Sequence, residues 1–155
     1  MRAGKRLAID VGSVRIGVAS CDQGGVLATP LATVRRGRGD LDEISRLCGE
    51  HAAIEVIVGL PITLAGKAGT AAADARSFAS ALAARVAPVP VRLMDERFTT
   101  TLAHSALRAG GRDGRDRRRC VDKAAAAMLL QSALDSERLS GDPAGELVTT
   151  SGGAQ

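Results

Sequence analysis

The stretch at residues 6–20, RLAIDVGSVRIGVAS, constrains the fold of this chain more than any other. Two short apolar runs, at 7–9 and 16–19, flank a turn-like segment. Each run has the length of a strand and the glycine and serine between them suit a turn, so the stretch predicts a β-hairpin. The first strand ends on a carboxylate, Asp10. Because an unpaired buried charge is costly, Asp10 needs a partner, which could be a backbone N–H, an arginine such as Arg15, or a metal ion.

The rest of the chain alternates between strand and helix patterns. Apolar runs predict further strands at 26–34, 54–60 and 89–94, and helical spacing predicts helices at 40–51, 70–86, 100–109 and 121–139. Pro30, inside the third strand, suits an edge or a bulge. The order β-β-β-α-β-α-β-α-α indicates an α/β fold with a mixed five-stranded sheet flanked by helices. We expect one domain over residues 1–138, and a disordered tail at 139–155 because that segment is rich in small and polar residues.

The composition argues against several classes of protein. No apolar run approaches about 18 residues, so we expect no membrane span, and the N-terminal apolar run is too short for a signal peptide. A cytoplasmic location is therefore expected. The three cysteines, Cys21, Cys48 and Cys120, lie far apart and form no CxxC pair. This spacing argues against a disulfide framework and against a zinc site.

Arginine carries most of the positive charge in a chain of net charge +4. The segment RDGRDRRRC at 112–120 holds five arginines and two aspartates, and Arg35, Arg36 and Arg38 form a second cluster. The first segment is either a solvated loop or a set of phosphate contacts beside the last helix. Only two residues are aromatic, so contacts to the backbone and shape of a nucleic acid are favoured over base stacking. The candidate nucleic-acid contacts are Arg15, Lys67, Arg97, Arg115, Arg117, Arg118, Arg119 and Lys123.

Three carboxylates stand at predicted strand ends or helix starts. Asp10 ends the first strand, MDERF places Glu96 after the last strand, and VDKAAAAM places Asp122 in the first turn of the last helix. Strand ends and helix termini meet at sites in α/β sheets, so the three could converge. Such carboxylates are the ligands that Mg²⁺ and Mn²⁺ prefer, and two such ions are a common device for phosphodiester cleavage. Each carboxylate also has a structural alternative. Asp10 could hydrogen-bond the hairpin turn, Glu96 could form an ion pair with Arg97, and Asp122 could cap the last helix.

Four motifs together resemble one protein family. RLAIDVGSVRIGVA, VIVGLPITLAGKAG, MDERFTT and VDKAAAAMLL occur in the order and at the spacing of the YqgF family, also called RuvX, over roughly residues 5–138. The resemblance implies a ribonuclease H-like fold. It also implies that the metal-binding, catalytic carboxylates are Asp10, Glu96 and Asp122, which selects Glu96 over its neighbour Asp95. The expected cofactors are two Mg²⁺ or Mn²⁺ ions.

The resemblance implies a metal-dependent endonuclease that hydrolyses phosphodiester bonds in structured nucleic acid. The substrate would be pre-16S rRNA, trimmed at its 5′ end during ribosome biogenesis, or a Holliday junction in recombination and repair. Resolving a junction requires symmetric cuts and favours a homodimer, whereas RNA trimming does not. Two other classes are a sugar-kinase or actin-like ATPase, which needs a second copy of the hairpin domain, and a non-catalytic nucleic-acid-binding module. The single hairpin and the intact carboxylate trio argue against them.

Overall fold

The computed structural model describes residues 1–61, 69–96 and 114–149, with the backbone alone at 114–122. Six strands and three helices occupy these ranges. In chain order they are β1 (Arg6–Val11), β2 (Arg15–Cys21), β3 (Ala28–Arg35), α1 (Asp40–Glu50), β4 (Glu55–Leu60), α2 (Thr70–Val86), β5 (Val91–Asp95), α3 (Gly114–Ser140) and β6 (Glu146–Leu147). The helix predicted at 100–109 lies outside the described residues.

The strands form one mixed sheet in the order β3-β2-β1-β4-β5-β6. β1, β4 and β5 are parallel neighbours, and β2 and β3 continue the sheet as an antiparallel meander beside β1. The predicted α/β class and mixed sheet are therefore confirmed. The prediction for Pro30 is also confirmed, because β3 is the outermost strand on its side and the β2–β3 register shifts beside Pro30.

The sheet has six strands, not the predicted five, because part of the predicted tail forms a strand. The described tail contributes a sixth strand, β6, which pairs antiparallel with β5. Arg92 donates from Nε to the Ala144 carbonyl and from Nη2 to the Gly145 carbonyl, both at 2.8 Å. The Val148 N–H donates to the Val91 carbonyl at 2.8 Å. These bonds use backbone groups that every residue carries, so a polar, small-residue composition did not reveal them.

The basic segment is also not the loop that the sequence predicts. α3 begins at Gly114, seven residues before the expected start at 121, and the described backbone at 115–120 is helical. Arginine is a good helix former, and no proline or glycine follows Gly114 within the segment, so nothing in it stops a helix. Within the described residues, no helix combines the length and the apolar character that crossing a bilayer requires.

Strand alternation divides the core into two layers, one on each face of the sheet. Leu7 and Ile9 of β1 pack on the face covered by α1 and α2. Ala8 of β1 packs on the opposite face, against α3. On α3 the buried residues recur at helical spacing: Ala126, Leu129, Leu130, Ala133 and Leu134. The face covered by α3 is the one on which the candidate site lies.

A buried ion-pair network joins the start of the chain to the end of α3. Glu137 accepts from Arg2 Nη2 at 2.7 Å and from Arg6 Nη2 at 3.2 Å, and Arg2 also contacts Glu55 at 3.2 Å. Arg6, Glu55 and Glu137 are each at most 3% exposed. Because Arg6 and Glu55 begin the parallel strands β1 and β4, this network marks the amino ends of those strands. It also shows that α3 runs antiparallel to β1.

Candidate active site

The carboxyl ends of β1, β4 and β5 meet at one edge of the sheet, because the three strands are parallel. Asp10 is the last but one residue of β1, and Glu96 directly follows β5. Alternation places Asp10 on the α3 face with Ala8, and Glu96 on the same face as Met94. Asp95 alternates with them and shares the face of Leu93. The fold thus brings two of the three predicted carboxylates to one edge and one face.

Asp10 and Glu96 are in direct contact. Burial raises the pKa of Glu96 to about 9, and a hydrogen bond with Asp10 and the negative charges of Asp10 and Asp95 act in the same direction. Two adjacent negative charges repel, so the protonated form of Glu96 is favoured in this contact. Among the described residues, a second carboxyl is thus one partner of Asp10. A divalent cation fits this pair, since it would offset the negative charge that the two carboxyls bring together.

Gly59 makes this contact across β4 possible. β4 lies between β1 and β5, and Gly59 is the β4 residue that pairs with Met94. A Cβ added at Gly59 would collide with Oε1 of Glu96. Glu96 therefore occupies space that any other residue at 59 would fill. Sequence reasoning missed Gly59, although a glycine inside an apolar strand is a known signal of close approach.

The hairpin turn after Asp10 is fixed by hydrogen bonds on both sides. The Gly12 N–H donates to the Arg15 carbonyl at 2.9 Å, and a Cβ at Gly12 would lie 2.6 Å from that oxygen. Arg36 Nη1 donates to the Gly12 carbonyl at 2.9 Å and to Asp74 at 2.8 Å. The guanidinium of Arg36 also lies 5.4 Å from the ring centre of Phe78. Sequence reasoning missed this role of Arg36, because its partners are far away in the sequence.

The first turns of α3 lie at the same edge as the carboxyl pair, because α3 runs antiparallel to β1. Position 122 is four residues before the buried Ala126, one turn along the helix. The side chain of Asp122 lies outside the described residues. Among the side chains that are described, no group of three or more Asp, Glu, His or Cys is placed to hold a metal ion.

The predicted basic contacts divide between described and undescribed residues. Arg15 begins β2 at the site edge and is half-buried, and Lys123 is half-buried on α3. Lys67 and Arg97 lie outside the described residues. Only the helical backbone is described for Arg115, Arg117, Arg118 and Arg119.

A mixed sheet with this strand order, flanked by helices and carrying paired carboxyls where β1 and β5 end, defines a ribonuclease H-like α/β fold. The model of the RuvX family, described as "Holliday junction resolvase", matches residues 4–136. The chain belongs to the RuvX family. The family resemblance predicted from the sequence is thereby confirmed.

Two curated relatives of this chain carry the same name. A protein of Nocardioides sp. named "Putative pre-16S rRNA nuclease" is 56% identical over 153 residues, which cover 96% of this chain and 98% of the relative. A protein of the same name from Thermobifida fusca is 56% identical over 155 residues, with the same coverage. Among solved structures, Thermus thermophilus RuvC in complex with a Holliday junction substrate has a TM-score of 0.58 at 12% identity, covering 90% of this chain and 98% of RuvC. The RuvC likeness supports the fold.

Proposed function

We propose that this chain is a divalent-metal-dependent endonuclease that hydrolyses phosphodiester bonds in structured nucleic acid. The observation that carries the proposal is the contact between Asp10 and Glu96. Two carboxyls held in contact repel each other when both are ionised, which is a costly arrangement for stability alone. The fold nevertheless provides for it, since Gly59 leaves the space that Glu96 needs. A site that gathers negative charge in this way is suited to binding cations.

Asp10 and Glu96 would hold the metal, with Asp122 as a third ligand from the first turns of α3. Mg²⁺ or Mn²⁺, in a pair of ions, would supply an activated water and stabilise the leaving 3′-oxygen. The protein's own contribution is a rigid frame. Asp10 lies on a central strand whose turn is fixed by Arg36, so its carboxylate is pre-positioned.

The phosphate backbone would be bound by the basic residues that flank this edge. Arg15 starts β2 there, and Lys123 lies next to position 122 on α3. The arginines of the first α3 turns would add contacts that do not depend on sequence, as would Lys67 and Arg97. Their proposed contacts are with phosphates, since the chain has only two aromatic residues for stacking.

The substrate that we propose is pre-16S rRNA, cleaved at its 5′ side, in keeping with the name of the curated relatives. The protein would act in the cytoplasm. The alternative substrate is a Holliday junction, bound by a homodimer. The description of the family and the RuvC-like fold favour this second candidate. The two substrates differ in symmetry, because a junction needs two equivalent cuts and a precursor end needs one.

One experiment tests both substrates. Labelled precursor rRNA and labelled four-way junctions are offered to the same preparation with Mn²⁺, Mg²⁺ or EDTA. We expect cleavage with either ion, none with EDTA, and none by Asp10→Asn or Glu96→Gln. Asp95→Asn is the matched control, since it removes a neighbouring carboxylate from the opposite face and should retain cleavage. Cleavage that persists in EDTA, or in folded Glu96→Gln, would refute the metal site, and the preferred substrate identifies which of the two candidates holds.

A further inference from the structure

Two arginines face each other across the β2–β3 ladder. Arg15 and Arg35 are directly opposed in the antiparallel register. The Arg36 N–H donates to the Val14 carbonyl at 2.9 Å, which makes 14 and 36 a hydrogen-bonded pair. Arg15 and Arg35 are then the adjacent non-hydrogen-bonded pair, the kind in which opposed side chains lie closest. Like charges at directly opposed positions destabilise a sheet.

The arginine pair lies on the same edge and the same face as the carboxyl pair. β1 and β3 are both antiparallel to β2, so the end of β3 and the start of β2 share the edge at which β1 ends. Ile16 and Val18 of β2 pack on the α1/α2 face. By alternation Arg15 is on the α3 face, and Arg35, opposite it, is on that face too.

Arg35 has no stabilising role that the described residues reveal. It is exposed, and within the described ranges no carboxylate forms an ion pair with it. Its neighbour Arg36 differs, because it contacts Asp74, the Gly12 carbonyl and the Phe78 ring. The chain therefore keeps a second arginine at a position where it opposes a like charge and, among the described groups, has no counter-charge. An anionic ligand would supply the missing charge.

We propose that Arg15 and Arg35 together bind one phosphate of the nucleic-acid backbone, next to the bond that is cleaved. This inference rests on the proposed nuclease function and adds Arg35 to it as a substrate-binding residue. Asp10 pairs with Gly17 on β2, two residues from Arg15, an offset of about 7 Å along the strand. Arg35 lies a further strand away, so it is two strand spacings, about 10 Å, from β1. The pair is thus offset from the carboxyls and binds a neighbouring phosphate.

The test is the salt dependence of binding, measured without cleavage. Fluorescence anisotropy in EDTA follows a labelled four-way DNA junction and a labelled precursor rRNA stem across a range of salt. Arg35→Gln should flatten the slope of log affinity against log salt by about 0.9 on duplex DNA, the value for one lost phosphate contact. Arg35→Lys should restore most of it. The matched control is Arg46→Gln on α1, which removes the same charge from an exposed helix on the other face and should keep the parental slope.

A thermal melt without nucleic acid gives an independent readout. Arg35→Gln should melt at or above the parental temperature, because it relieves repulsion with Arg15. If Arg35→Gln keeps the parental slope, or melts below the parental temperature, the phosphate site is refuted and Arg35 is a structural residue. Binding that depends on Arg35 without any cleavage in Mn²⁺ would refute the nuclease proposal and leave the phosphate site standing. A parental protein that binds neither probe would refute both.

Discussion

Gly59 has no side chain, and the carboxyl of Glu96 occupies the space where one would begin. Gly59→Ala should therefore displace the carboxyl of Glu96 and lower the free energy of unfolding by about 1 kcal/mol, the low end of the cost of overpacking, because the colliding atoms belong to one flexible side chain. In a Glu96→Ala background the same change should cost close to nothing, because the collision is gone. Urea denaturation of the parent, the two single variants and the double variant measures this coupling. Gly49→Ala on α1 is the control, since a Cβ at Gly49 meets no atom within 4 Å. Equal costs in both backgrounds would show that Gly59 does not serve Glu96.

The order of strands and helices was predictable because its signals are local. Apolar runs and helical spacing are read within a dozen residues, and they located β1, β2, β4, α1 and α2. The convergence of Asp10 with Glu96 was different. It depends on the position of β4 between β1 and β5, and this strand order cannot be predicted from a local sequence pattern. Position at strand ends indicated that the carboxylates could converge, and the family resemblance selected Asp10 and Glu96.

The features that the sequence did not reveal depend on long-range contacts. Arg36 reaches Gly12 and Asp74 across the fold, so its neighbours in the sequence give no hint of its role. The choice of Glu96 over Asp95 follows from alternation only once Met94 is known to face α3. β6 is formed by backbone hydrogen bonds between β5 and a polar tail, and composition cannot report these.

The carboxyl pair should make stability depend on pH in the presence of a chelator. The pKa of Glu96 is raised from 4.5 to about 9, so its favourable contribution is complete below pH 4.5 and is lost as pH rises towards 9. Glu96→Gln is neutral at every pH and should remove that loss, melting above the parent at pH 8.

Mn²⁺ should raise the melting temperature of the parent more than that of Asp10→Asn, Glu96→Gln or Asp122→Asn. Variants that are less stable but still cleave would contradict the metal-site assignment.

Glu137 should give the opposite pH dependence at the other end of the sheet. Hydrogen bonds from Arg2 lower the pKa of Glu137 from 4.5 to about 2. Its contribution to stability is then present above pH 4.5 and is lost as pH falls towards 2, and it amounts to about 3 kcal/mol at most. Burial raises the pKa of the nearby Glu55, which works in the opposite direction and reduces the net effect.

Glu137→Gln tests this network. At pH 7 it should be destabilising by roughly 3–5 kcal/mol, because the buried Arg6 guanidinium loses its partner carboxylate. Its urea midpoint should also fall less steeply than the parental one between pH 4.5 and 3. Glu50→Gln, on the exposed surface of α1, is the control and should change neither quantity by more than about 0.5 kcal/mol. A parental acid slope in Glu137→Gln would place the acid sensitivity elsewhere.

Removing β6 should destabilise the domain, contrary to the disordered tail that composition predicts. Truncation after Asp142 removes the buried Ala144, the two carbonyls that accept from Arg92, and the Val148 bond to β5. Each hydrogen bond contributes about 1 kcal/mol, so the loss should be roughly 2–4 kcal/mol. At about 2–4 °C per kcal/mol for a domain of this size, the melting temperature should fall by several degrees. Truncation after residue 149 retains every one of these contacts and should melt with the parent.

Gly145→Ala tests β6 by a second route and should also lower the melting temperature, because Gly145 has φ +80 and a Cβ there would collide with the Leu93 carbonyl. If the protein truncated after Asp142 melts with the parent, β6 contributes nothing to stability and the domain ends with α3.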